Sequence, residues 1–218
     1  MLLEKLQLIT SALILLTSFI MLTQNRINNL IATFAWQSIF LAVATLLQAM
    51  VIKQNELYFS VLLILVLKVF FIPYLMRYLV IKLNIRHTIA DIKRPFLLLI
   101  GSAVLVLFCF HLIEPIRATS WLAQTNVIAV AIAITLLGML LLITRRKAIS
   151  HVIGFMAMEN GIFFAALVAT HGMPLTVELG IAFDVLVAVV LFGVFFFHIR
   201  QSIESLDVDR LNLLREDD

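Results

Sequence analysis

The sequence predicts an all-α protein: a polytopic transmembrane helical bundle of seven helices, with the N-terminus outside and the C-terminus cytoplasmic. Three observations predict it. Of 218 residues, 63% are hydrophobic and only 13% charged, whereas a soluble domain is about half apolar and a quarter charged. The mean hydropathy is +1.11. Seven segments approach the roughly 20 apolar residues that a helix needs to cross a bilayer: 6–22, 29–52, 57–80, 96–113, 126–144, 150–170 and 177–199.

The first three spans form an N-terminal part, 1–81. The second carries Gln37 and Gln48. The third carries Lys68 and Pro73, and a proline inside a helix removes an amide donor and should kink it. The connection 82–95 reads KLNIRHTIADIKRP. Ile81, Ile85, Ile89 and Ile92 recur there at helical spacing with basic residues between them. That pattern suits an amphipathic helix on the inner membrane surface, with an ordinary basic loop as the alternative.

A four-helix part, 96–199, follows. Pro95 opens its first span at a helix start, where proline is tolerated, and Pro115 falls past that span's end. The fifth span carries Thr135. Arg145, Arg146 and Lys147 make a basic loop before the sixth, HVIGFMAMENGIFFAALVATHG, which holds Glu159 and Asn160 at its centre. The seventh holds Asp184 about two turns in, with Glu178 near its outer end. The tail, 200–218, is polar and of mixed charge.

Lys and Arg set the orientation, since they concentrate in cytoplasmic loops. With the N-terminus outside, twelve of them fall on the inner side and three on the outer, leaving Lys68 within a span. The basic pI of about 9.2 therefore marks membrane topology and implies no nucleic acid partner.

Ionisable groups at mid-bilayer are costly and mark either function or a paired interior contact. Lys68 lies more than about 10 Å from either interface at the helical rise, too far to snorkel fully. With Glu159 and Asp184 it gives three such groups on three helices. The functional reading is a proton or cation relay through Lys68, Glu159 and Asp184; the alternative is a static ion pair, Lys68 with Glu159 or Asp184, that holds helices together. Gln37, Gln48, Thr135, Asn160 and Glu178 are candidate supporting polar groups, or simply interhelical hydrogen bonds. Gly154, Ala157, Gly161 and Ala165 form a small-residue seam on the sixth helix. Glu159 lies about 140° from Gly154 at 100° per residue, away from that seam and nearer Phe155 and Phe163.

Other chemistries lack their residues. One cysteine, Cys109, cannot hold an iron–sulfur cluster, which needs about four thiolates. The five histidines lie at span ends or in loops, against a bis-histidine haem. No P-loop, HExxH or GxSxG pattern occurs. No cofactor or metal is expected.

The Lys68–Pro73 helix, TRRKAISHVIGFMAMENG, VELGIAFDVLVAVV and the SLDVDRLNLL tail together resemble the hydrogenase-4 component E family along essentially the whole chain. The last three helices also resemble the complex I K subunit and the Mrp antiporter C subunit. There, a basic loop precedes an IGLE-like helix, and Arg145, Arg146, Ile153 and Gly154 match. The family glutamate aligns with Met156, so Glu159 comes one turn later, about 60° round. The second acid is Asp184 in place of glutamate.

The resemblance implies a bacterial or archaeal cytoplasmic-membrane subunit of a complex I-related assembly that contributes to proton or Na+ translocation. Its implied partners are antiporter-like large membrane subunits, other membrane-arm subunits and peripheral nickel–iron hydrogenase subunits. Such a chain is a non-catalytic subunit of an oxidoreductase complex rather than an enzyme by itself. The alternatives are a structural scaffold that docks antiporter-like subunits, or a subunit of an Mrp-type antiporter or inorganic-carbon uptake complex without hydrogenase.

Overall fold

The computed structural model describes residues 2–53, 55–82, 95–119 and 125–169, with Gly180, Leu186, Val187, Val189, Val190 and Gly193. The described residues are helical apart from short connections. The helices are α1 (Leu2–Thr23), α2 (Ile27–Ile52), α3 (Asn55–Leu63), a π-helical segment (Ile64–Phe71), α4 (Ile72–Lys82), α5 (Pro95–Thr119), α6 (Thr125–Thr144) and α7 (Ala148–Ala169). The π segment joins α3 and α4 into one long span, Leu57–Lys82. Among the described residues, six helices are thus long and apolar enough to cross a membrane, the architecture of a multi-pass membrane protein.

The chain divides into two compact units, Met1–Ile181 and Ala182–Asp218. All six of these helices lie in the first. The expected seventh span, with Glu178 and Asp184, lies largely outside the described residues. Within it, Gly180, Leu186, Val187, Val189, Val190 and Gly193 are helical. The expected amphipathic connection and the tail also lie outside the described residues.

Two proline expectations take a different form. The irregularity expected at Pro73 is the eight-residue π segment just before it. The Ile72 amide reaches back to the Leu67 carbonyl, one residue further than in an α-helix, and Pro73 has no amide hydrogen to resume the α ladder. Pro115 lies inside α5 rather than past its end. The apolar run stops near Ile113, but a helix can continue beyond the apolar segment at the cost of the one bond that Pro115 cannot donate.

α2 is the central element, packed on α1, α3, the π segment, α4 and α7. Ile14, Leu41, Ala44, Ile134 and Phe164, all fully buried, join a core shared by α1, α2, α6 and α7. α6 and α7 make the most extensive helix pair, and small residues explain why. A Cβ on Gly138 would collide with the Met158 backbone, and one on Gly161 with Thr135. One on Gly154 would sit 3.1 Å from Leu142. The small-residue seam is therefore the surface on which α7 meets α6. The opposite side of α7 is left to face α2 and the π segment.

Candidate functional site: a buried charge pair and its polar network

Four helical elements, the π segment, α7, α2 and α1, bring the site together. The π segment carries Lys68, which is 2% exposed; α7 carries Glu159 and Asn160, 5% and 0% exposed. Lys68 Nζ donates to Glu159 Oε1 at 2.7 Å and to Asn160 Oδ1 at 3.0 Å. The Phe163 ring, one turn along α7, lies 5.9 Å from the ammonium, within cation–π range. A π turn carries one more residue than an α turn, which re-aims the side chains that follow it. Lys68 sits within such turns, opposite the polar face of α7.

The network continues into the bundle. Asn160 Nδ2 donates to Gln37 Oε1 at 3.2 Å and to Ser38 Oγ at 3.4 Å on α2. Gln37 Nε2 then donates to Ser18 Oγ on α1 at 2.8 Å. Ser18 and Ser38 donate their own hydroxyls to the Ile14 and Phe34 carbonyls. Donors and acceptors alternate along this chain from the ammonium to the helix backbone. A satisfied chain of this kind compensates the burial of its members, as a partly satisfied one would not. One atom stands apart: Glu159 Oε2 is buried and has no hydrogen-bond partner among the described residues.

The other sequence candidates separate from this cluster. Gln48 pairs with Gln7 on α1 at 2.6 Å, near the opposite end of α2 from Arg26. Thr135 donates to the Ala131 carbonyl, one turn back on its own helix. Glu178 and Asp184 lie outside the described residues. Arg145 and Arg146 have opposite fates. Arg146 is exposed, whereas Arg145 is 3% exposed. Arg145 Nη2 donates to the Leu22 and Gln24 carbonyls, each at 2.7 Å. Those carbonyls close α1, where a helix exposes unpaired acceptors and negative partial charge. Burial pushes the guanidinium below its ordinary range, yet arginine stays charged in proteins. The basic loop thus contains one structural cation.

Sequence reasoning missed Ser18, Ser38 and Gln7. A signal existed: Gln7, Thr10, Ser11, Thr17 and Ser18 lie at helical spacings along α1 and are all buried. Short hydroxyl side chains in apolar runs read as neutral fillers, because each can bond its own helix backbone. Among the described residues, no group of three His, Cys, Asp or Glu could hold a metal ion.

Comparison with known proteins gives limited relatives. The chain is 28% identical over 204 residues to an uncharacterized protein of Mycobacterium tuberculosis, covering 93% of both. It is 28% identical over 150 residues, 68% of each chain, to the Escherichia coli protein named hydrogenase-4 component E. The protein of that name from Shigella flexneri matches to the same extent. No family model matches, and no solved structure does.

Proposed function

We propose that the chain is an integral membrane subunit of a hydrogenase-4-like, complex I-related assembly, and that Lys68 and Glu159, with Asp184, relay charge during proton or Na+ translocation. The observation that carries this reading is the Lys68–Glu159 pair, buried at 2.7 Å within a polar network that crosses four helical elements. The similarity to hydrogenase-4 component E of Escherichia coli supports the assembly. This reading takes 177–199 as a seventh span, with the N-terminus outside and the basic segments in the cytoplasm.

The chemistry is electrostatic. Donor and acceptor are already in hydrogen-bond contact, so a proton passes between them without movement of the helices. What sets its position is the field around the pair: a charge that arrives or leaves on a neighbouring subunit changes which protonation state is favoured. Glu159 Oε2 supplies a second landing point for a proton while Oε1 stays on Lys68. Arg145 holds α1 to the α6–α7 connection and acts outside the relay.

A second reading draws on the same contact. A short, fully buried ion pair is also what a static clamp would use, in a subunit that docks antiporter-like neighbours without moving ions. Purification of the tagged full chain from its native membrane tests the assembly. It should bring down large antiporter-like membrane subunits together with peripheral subunits of a nickel–iron hydrogenase. Antiporter-like subunits alone would move the chain to an Mrp-type or inorganic-carbon uptake complex. A chain recovered alone would contradict both.

A further inference from the structure

The atoms around the Lys68 ammonium have the composition of a cation seat. A carboxylate oxygen lies 2.7 Å from Nζ and an amide carbonyl oxygen 3.0 Å from it. Hard oxygen donors of this kind suit alkali and alkaline-earth ions. Here a tethered ammonium sits in the seat. We propose that Lys68 is the ion-specificity residue of the site: its ammonium occupies the place a free Na+ would take, so the pair handles protons and excludes sodium.

Three physical arguments carry this. First, the tether gives the ammonium an effective concentration that a dissolved ion at ordinary concentrations does not match. Second, Na+ beside the ammonium would place two positive charges against one carboxylate in a low-dielectric interior, where unpaired charge is heavily penalised. Third, Lys68 is 2% exposed and mid-span, so its charge has no nearby water to which it can withdraw. A proton meets none of these obstacles. It needs one lone pair, and Glu159 Oε2 offers one with no hydrogen-bond partner among the described residues.

The inference rests on the translocation reading for its meaning, but its test measures binding and not pumping. Thermal unfolding of the full chain in lipid nanodiscs is compared in sodium chloride and in choline chloride at equal ionic strength. The wild type should unfold at the same temperature in both. Lys68→Ala should unfold roughly 3–6 °C higher in sodium, the shift expected for a chain of this size from a ligand at about ten times its Kd. Lys68→Ala combined with Glu159→Gln should lose that response, and Lys68→Ser serves where the alanine variant is not recovered. A sodium response in the wild type would overturn the proposal, as would its absence from both single variants. Either result leaves the pumping reading to be judged by its own assay.

Discussion

Lys68 Nζ and Glu159 Oε1 meet at 2.7 Å across 91 residues of sequence, the one on the π segment and the other on α7. Neither charge is tolerable there alone. Removing one partner of a buried pair typically costs about 3–5 kcal/mol, whereas replacing both by apolar groups is often neutral. Lys68→Met should therefore destabilise the protein by about that amount, and Lys68→Met with Glu159→Leu should recover most of the loss. Unfolding of both single variants and the double checks it. Strict additivity would contradict a coupled pair.

Asn160 joins the pair to α2. It accepts from Lys68 and donates to Gln37 and Ser38. Asn160→Leu leaves the Gln37 carbonyl and the ammonium short of a partner, at a cost of about 1–3 kcal/mol for each buried group left unpaired. The double variant Asn160→Leu with Gln37→Leu should cost less than the sum of the two. Asn160→Leu with Gln48→Leu should be additive within about 0.5 kcal/mol, because Gln48 bonds Gln7 instead. Denaturation of the three single and two double variants separates the cases.

The α6–α7 contact sets a steric prediction. Gly138→Ala and Gly161→Ala each drive a methyl group into backbone of the facing helix, and both should sharply lower the yield of folded protein. Gly101→Ala meets nothing within 4 Å. It should be neutral or stabilising by up to about 1 kcal/mol, the helix propensity difference between the two residues. Fluorescence size-exclusion profiles of the three variants report the contrast.

Arg145 and Arg146 are adjacent in sequence and unlike in structure. Arg145→Met removes two charge-assisted bonds to the end of α1 and should destabilise by about 2–4 kcal/mol, at roughly 1.5–3 per charged hydrogen bond less what the apolar replacement regains. Arg146→Met, at an exposed position, should stay within about 0.5 kcal/mol of wild type. Thermal unfolding of the pair tests the difference.

What the sequence revealed follows the physics of each signal. Six of the expected spans were legible because bilayer crossing needs long apolar runs, and composition alone displays them. The seam of Gly154, Ala157 and Gly161 was legible because close helix packing demands small residues at helical spacing. Lys68 and Glu159 stood out as costly groups. Which acid Lys68 would meet, Glu159 or Asp184, stayed open, since nothing local in the chain specifies which helices meet. Pro73 signalled an irregularity, but the π register depends on which carbonyl the Ile72 amide selects. Ser18 and Ser38 stayed hidden because hydroxyls in an apolar helix satisfy themselves. Arg145 could not be told from Arg146, because a basic loop carries no mark of which side chain turns inward to cap α1.

The central claim is that the buried pair carries charge through the membrane rather than only holding helices together. Its most direct test is proton pumping by the intact assembly, reconstituted into liposomes, with Glu159→Gln. Glutamine keeps an acceptor for Lys68 but cannot take up a proton at neutral pH. The account predicts an assembled complex whose redox turnover persists while pumping falls at least about tenfold, on the scale of losing one essential proton carrier. Wild-type pumping with the complex intact would contradict it and leave the pair as a clamp.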